Sequence, residues 1–180
     1  FMEKGCYGCH DAPGVAYRPK FAPPLAPLST KLLDLRRFVY AWIKEPTHVS
    51  ADTMMPNFAL DDDAARKITA FVATLPTEHQ CEPVDLTGAS AEEGEHLFVE
   101  RGCAGCHAVK PDDHSVAPRV PNLAGIASKV KPEWLDRWIR DPKAYNTDAA
   151  MPKTELTDKE RHAVIAYLLT LTRAEPLPDP

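Results

Sequence analysis

The amino-acid sequence predicts an all-α protein built as two tandem domains, and three observations predict it. A ten-residue frame occurs twice, as FMEKGCYGCH at the start and as FVERGCAGCH from Phe98. Apolar residues in both halves recur at three- and four-residue spacing, and no alternating strand pattern competes. The stretch between the halves and the tail combine proline with acid, which reads as connector rather than element.

Setting Cys6 against Cys103 gives an offset of 97, which also pairs Phe1 with Phe98, Gly5 with Gly102 and His10 with His107. FAPPLAPLSTKL (21–32) lies against RVPNLAGIASKV (119–130) at an offset of 98. After two extra residues in the first copy the offset settles at 96. It then pairs WIKEP (42–46) with WIRDP (138–142), MPNFAL (55–60) with MPKTEL (151–156), and ITAFVATL (68–75) with VIAYLLTL (164–171). So many matches in one order define a duplicated unit. The boundaries follow: a first domain over 1–76, a short acidic, proline-containing linker over 77–91, a second domain over 92–173 and a tail over 174–180.

Taken in order, the elements are helical. Repeat two opens with AEEGEHLFVER, where Leu97, Phe98 and Arg101 follow Gly94 on a short helix running into Gly102. Repeat one starts only five residues before Cys6, so most of that helix has no counterpart. The expectation is that further residues precede Phe1 in a larger polypeptide, a membrane anchor among the options. A central helix is predicted over roughly 31–45 and 132–141, with Pro132 suited to a first turn. The last helices carry the apolar spacing of Ala65 to Leu75 and Ala163 to Leu171. A capping box at Thr157-Asp158-Lys159-Glu160 starts the second of these, and the acids at 61–63 start the first.

Composition narrows the class. With 180 residues, 44% hydrophobic and 26% charged, the chain reads as globular, and each half alone has a thin apolar core. No apolar run approaches a bilayer span, and no charged-then-apolar leader is present, as expected of a mature product or a fragment. The net charge of −5 comes from the connector and tail: residues 76–92 hold four acidic and no basic side chains, while each repeat is close to neutral. The lack of a basic stripe argues against a nucleic-acid partner.

Chemistry concentrates at the cysteines. Cys6 and Cys9, and Cys103 and Cys106, form two C-x-x-C pairs, and histidine follows each pair. C-x-x-C-H is the attachment signature of a c-type haem. The two thiols on one turn form thioethers to the vinyl groups on one edge of the macrocycle, and the next residue, His10 or His107, lies beneath the iron. A structural disulfide or zinc site is the competing reading, but zinc needs further Cys or His at ligand spacing, which neither repeat offers. Two covalently bound haem c groups are expected. For the opposite axial position, Met55 and Met151 share the offset that aligns the tryptophans, and each precedes proline in a loop before the last helix. A thioether is a soft, neutral ligand that favours ferrous iron. Packing in a loop is the plainer role for a methionine, and Met54 is the register alternative to Met55.

Each repeat resembles a class I cytochrome c domain. The resemblance rests on Gly-x-x-x-Phe before C-x-x-C-H, a Pro-Asn-Leu loop, a central helix, Met-Pro and a last helix bearing an aromatic, and it covers nearly the whole chain. It implies that a loop proline carbonyl, on Pro121 and on Pro23, holds the other nitrogen of each proximal histidine; in repeat one PPL stands in place of PNL. It also implies that the first and last helices pack together, with Phe98 meeting Tyr167 and Phe1 meeting Phe71. Trp42 and Trp138 are candidates to lie against the haem or bind a propionate, alongside a plain core role.

The remaining reactive residues read blandly. Cys81 is an odd thiol in the linker, and His79 beside it makes only a two-ligand metal case. His48, His96, His114 and His162 match nothing between repeats and read as solvated, with His48 and His114 the candidates for replacing methionine. The whole reads as an electron carrier between a protein redox donor and acceptor, exported to the periplasm or the outer face of the cytoplasmic membrane. It has no membrane span in the given chain, has subunits of a membrane complex as candidate partners, and is a candidate cytochrome portion of a larger dehydrogenase, quinol-oxidising or oxidase complex, within a respiratory or related electron-transport chain. The alternative is a dihaem oxidoreductase such as a peroxidase or a thiosulfate-oxidising enzyme.

Overall fold

The computed structural model describes residues 1–14, 22–51, 53–77, 80–116 and 120–180. Among them the α-helices are, in chain order, α1 (Leu28–Lys31), α2 (Leu35–Lys44), α3 (Pro46–Val49), α4 (Asp62–Ala73), α5 (Ala91–Glu100), α6 (Pro132–Arg140), α7 (Pro142–Tyr145) and α8 (Asp158–Leu168). Short 3₁₀ turns complete the set, and no strand occurs among the described residues. The all-α class read from the sequence is therefore the observed one. None of these helices is long and apolar enough to cross a membrane. The chain divides into two compact units, Phe1–Gln80 with Leu177–Pro180, and Cys81–Pro176.

In unit one, the single helix expected over 31–45 is two elements. Leu32 turns extended (φ −90°, ψ 139°) after α1, and its side chain is 1% exposed. Asp34 then caps α2 by accepting from the Arg37 backbone N–H at 2.9 Å. Burying Leu32 and starting a fresh cap outweigh helix continuity here. Asp61 caps α4 in the same way, accepting from Ala64 N at 2.7 Å, and Asp62 and Asp63 add acid to its first turn. Asp62 also ties α4 to α2, accepting from the Tyr40 hydroxyl at 3.1 Å and lying 2.9 Å from Lys44 Nζ. Between the two helices the core is Val39, Ile43, Leu60, Ala65, Ile68 and Val72. Phe1 packs on Phe71 with ring centroids 5.2 Å apart.

In unit two, α5 crosses α8 at Gly94, a helical position where any side chain would collide with the Ala163 backbone. The Phe98 and Tyr167 rings meet at 5.5 Å, and Arg101 pairs with Glu160. Thr157 and Glu160 form the reciprocal capping box expected from the sequence. Pro132 opens α6 in its first turn. The buried Arg161 joins α8 to α6, donating to Asp136 Oδ1 at 2.7 Å and to Asp158 Oδ1 at 2.7 Å. Val130, Trp134, Leu135, Ile139 and Ile165 fill the core. Cys81 and Leu86, expected in a free linker, pack against this core.

Candidate haem-binding sites

Each C-x-x-C-H motif begins with a glycine in the left-handed region, Gly5 at φ 74° and Gly102 at φ 79°. A residue with a Cβ is strained there. The glycine launches a 3₁₀ turn over Cys6–Gly8 or Cys103–Gly105. Cys9 N donates to Cys6 O at 3.1 Å and His10 N to Cys6 O at 3.0 Å; in repeat two the same bonds are 3.1 and 2.9 Å. One turn thus presents both thiols and the histidine together. All four cysteines are free thiols rather than disulfides, and burial pushes the Cys6 and Cys103 thiols above the usual range.

The histidines are fixed by a loop downstream. His10 Nδ1 lies 2.9 Å from Pro23 O, and His107 Nδ1 lies 2.9 Å from Pro121 O. A carbonyl only accepts, so Nδ1 carries the proton and Nε2 keeps its lone pair for a metal. Burial is the main influence on His10 and pushes its pKa down, with the Pro23 carbonyl opposing it; the ring is neutral at pH 7, as a ligand must be. The loop itself is pinned by Leu25 N to Asp11 O at 3.1 Å and by Leu123 N to Ala108 O at 2.8 Å. In repeat two Asn122 adds bonds to Lys110 O and Asp113 O, both 2.8 Å. Pro24, which stands there in repeat one, has no such donor. The His10 to Pro23 bond forms without it.

The methionines have a partner that sequence reasoning missed. Trp42 Nε1 donates to Met55 Sδ at 3.0 Å, and Trp138 Nε1 donates to Met151 Sδ at 3.0 Å. The only sequence signal is the interval of 13 residues in both repeats. Behind them Trp42 stacks on Phe38 at 5.5 Å and Trp138 on Trp134 at 5.2 Å. The indole N–H groups thus meet sulfur, where the sequence reading offered a haem edge, a propionate or plain packing. Met55 packs on the unit-one core, whereas Met54 is 56% exposed.

Elsewhere, His48, His96 and His114 are exposed, and His162 Nε2 lies 3.6 Å from Asp136 Oδ1. His79 lies outside the described residues. Burial first of all pushes the Cys81 thiol up. Among the described residues no group of three or more His, Cys, Asp or Glu side chains could hold a metal ion. The donors gathered at each C-x-x-C-H turn are two thiols and one imidazole whose Nδ1 is held by a carbonyl. They suit a tethered porphyrin iron and not a zinc ion, which takes four protein donors in a structural site.

Residues 1–76 and 91–172 match the family model described as cytochrome c. The chain belongs to the cytochrome c family, whose domains bind haem c. It is similar to cytochrome c oxidase subunit 2 of Bacillus subtilis (strain 168), 34% identical over 90 residues, 43% of this chain and 25% of that protein. The same-named subunit of Bacillus sp. (strain PS3) is 31% identical over 135 residues, 67% of this chain and 38% of that protein. In Alkalihalophilus pseudofirmus the figures are 31% over 133 residues, 70% and 36%. The chain thus spans between a quarter and two fifths of the length of these relatives.

Proposed function

We propose that the chain carries two covalently bound haem c groups and relays single electrons between a protein donor and a protein acceptor of a respiratory chain. One observation carries this reading: the same constellation of glycine turn, thiols, proline-held histidine and tryptophan-held methionine stands in both units. Cys6 and Cys9 would tether one group and Cys103 and Cys106 the other; His10 with Met55, and His107 with Met151, would supply the protein ligands to the irons. A bound haem supplies an iron that changes valence without taking substrate when both axial positions are filled. The Pro23 and Pro121 carbonyls orient the imidazoles and keep their basicity toward the metal. Similarity to oxidase subunits supports a place beside, or as the cytochrome portion of, a membrane-bound terminal oxidase. Covalent attachment through four cysteines suits an exported location, in the periplasm or on the outer face of the cytoplasmic membrane, where loss of cofactor could not be reversed.

Carbon monoxide titration of the reduced, haem-loaded protein at neutral pH tests the reading. No spectral change is expected at either iron. Binding by one ferrous haem overturns the carrier in favour of a peroxidase-type or thiosulfate-oxidising oxidoreductase.

A further inference from the structure

We propose that Asn122 is a positioning residue: its carboxamide clamps the loop that carries the Pro121 carbonyl, and so tightens the hold of that carbonyl on His107 in unit two alone. The inference rests on the reading that His107 is an axial ligand. Asn122 Nδ2 donates to Lys110 O and to Asp113 O, both at 2.8 Å, and its Oδ1 accepts from Ala124 N at 2.7 Å. Carbonyls only accept and a backbone N–H only donates, so these neighbours fix the orientation of the amide and use both of its N–H donors. The two carbonyls bracket a turn that Asp113 N closes on Lys110 O at 3.2 Å. That turn hangs from the C-x-x-C-H motif and its next residue, through Val116 N to Cys106 O at 3.2 Å and Ala108 N to Ser115 Oγ at 3.1 Å.

The clamp acts through one rigid group. The Pro121 carbonyl shares a planar peptide unit with the N and Cα of Asn122, so pinning Asn122 pins the oxygen that lies 2.9 Å from His107 Nδ1. Repeat one has proline at this position, Pro24. Its ring fixes φ but offers no donor to the opposite loop, and Pro23 O meets His10 Nδ1 at 2.9 Å without that tie. Both imidazoles are half-buried, so exposure does not separate them. A better-held acceptor keeps the Nδ1–H bond closed for longer and leaves more electron density on the ring, which favours ferric iron.

The test uses haem-loaded protein with isotope-labelled histidine, reduced so that the iron is diamagnetic. In the wild type, the His107 Nδ1–H proton is expected to exchange with solvent more slowly than that of His10. In Asn122→Ala it is expected to approach the His10 rate. A site-resolved redox titration of that variant should move unit two about two- to threefold toward ferrous, the low end of a hydrogen bond's contribution because Asn122 acts through Pro121. Unit one stays unchanged. A structural role alone predicts a lower melting temperature with exchange and potential unaltered in the folded protein, and that result overturns the proposal. Equal exchange at the two histidines of the wild type also overturns it, without any variant. His107→Ala is the control on ligation. If it leaves the absorption spectrum unaltered, the axial reading fails; if it alters the spectrum while Asn122→Ala keeps wild-type exchange and potential, the clamp alone is overturned.

Discussion

A methyl group built on Gly94 would lie 1.9 Å from the Ala163 carbonyl oxygen, the point of closest approach between α5 and α8. Gly94→Ala therefore sets two effects of opposite sign against each other. Helix propensity favours alanine by about 1 kcal/mol in a helix interior. The overlap with rigid backbone forces the helices apart and outweighs it, with a net loss of about 1–3 kcal/mol. Thermal unfolding of the haem-loaded protein should show unit two melting earlier; a stabilised unit two would mean the helices do not cross here.

Met54 and Met55 are neighbours with different surroundings, one exposed and one on the core. Met55→Ala should open one iron, so that the reduced protein binds one equivalent of carbon monoxide. Met54→Ala should leave the protein closed to it. The reverse result would shift the ligand by one residue.

Glu160 titrates far below its ordinary 4.5, at about 2. The Thr157 hydroxyl contributes most, then the Thr157 backbone N–H, then Arg101. A depressed carboxylate stabilises the fold above its unfolded pKa, and that contribution is lost as pH falls through the folded value. Stability of unit two should decline between about pH 4.5 and about 2, and Glu160→Gln should flatten the decline in that window. Acid titrations of wild type and variant with the same slope would remove Glu160 from the account.

Arg161 is 3% exposed and reaches Asp136 and Asp158, of which only Asp136 is itself largely shielded. Asp136→Ala leaves a buried guanidinium with a single exposed partner, a loss of about 3 kcal/mol. Replacing the pair together, Asp136→Leu with Arg161→Met, should recover most of it, since apolar packing substitutes well for a buried ion pair. A double variant as unstable as the single one would show that the loss is steric.

The duplicated motif made the two-domain plan and the thiol and histidine positions legible, because covalent and coordination chemistry demand fixed residue types at fixed intervals. Caps were equally legible at Thr157 and Asp61, where the signal is local. The break at Leu32 was not, although Asp34 before an apolar run is a cap signal, because a buried Leu32 is decided by tertiary packing. Nor was the bond from Trp138 to Met151, since a shared interval of 13 does not say where an indole N–H points. Cys81 shows the same limit: its neighbours have linker composition, yet it lies against a core.

The proposed function stands on two porphyrins held to this chain by four thioether bonds. Intact mass under denaturing conditions, on protein exported from a host that attaches haem c, tests it most directly. The expected mass is that of the chain plus two haems, falling by one haem when Cys103 and Cys106 are both replaced by alanine. A wild-type chain carrying one haem or none would contradict it.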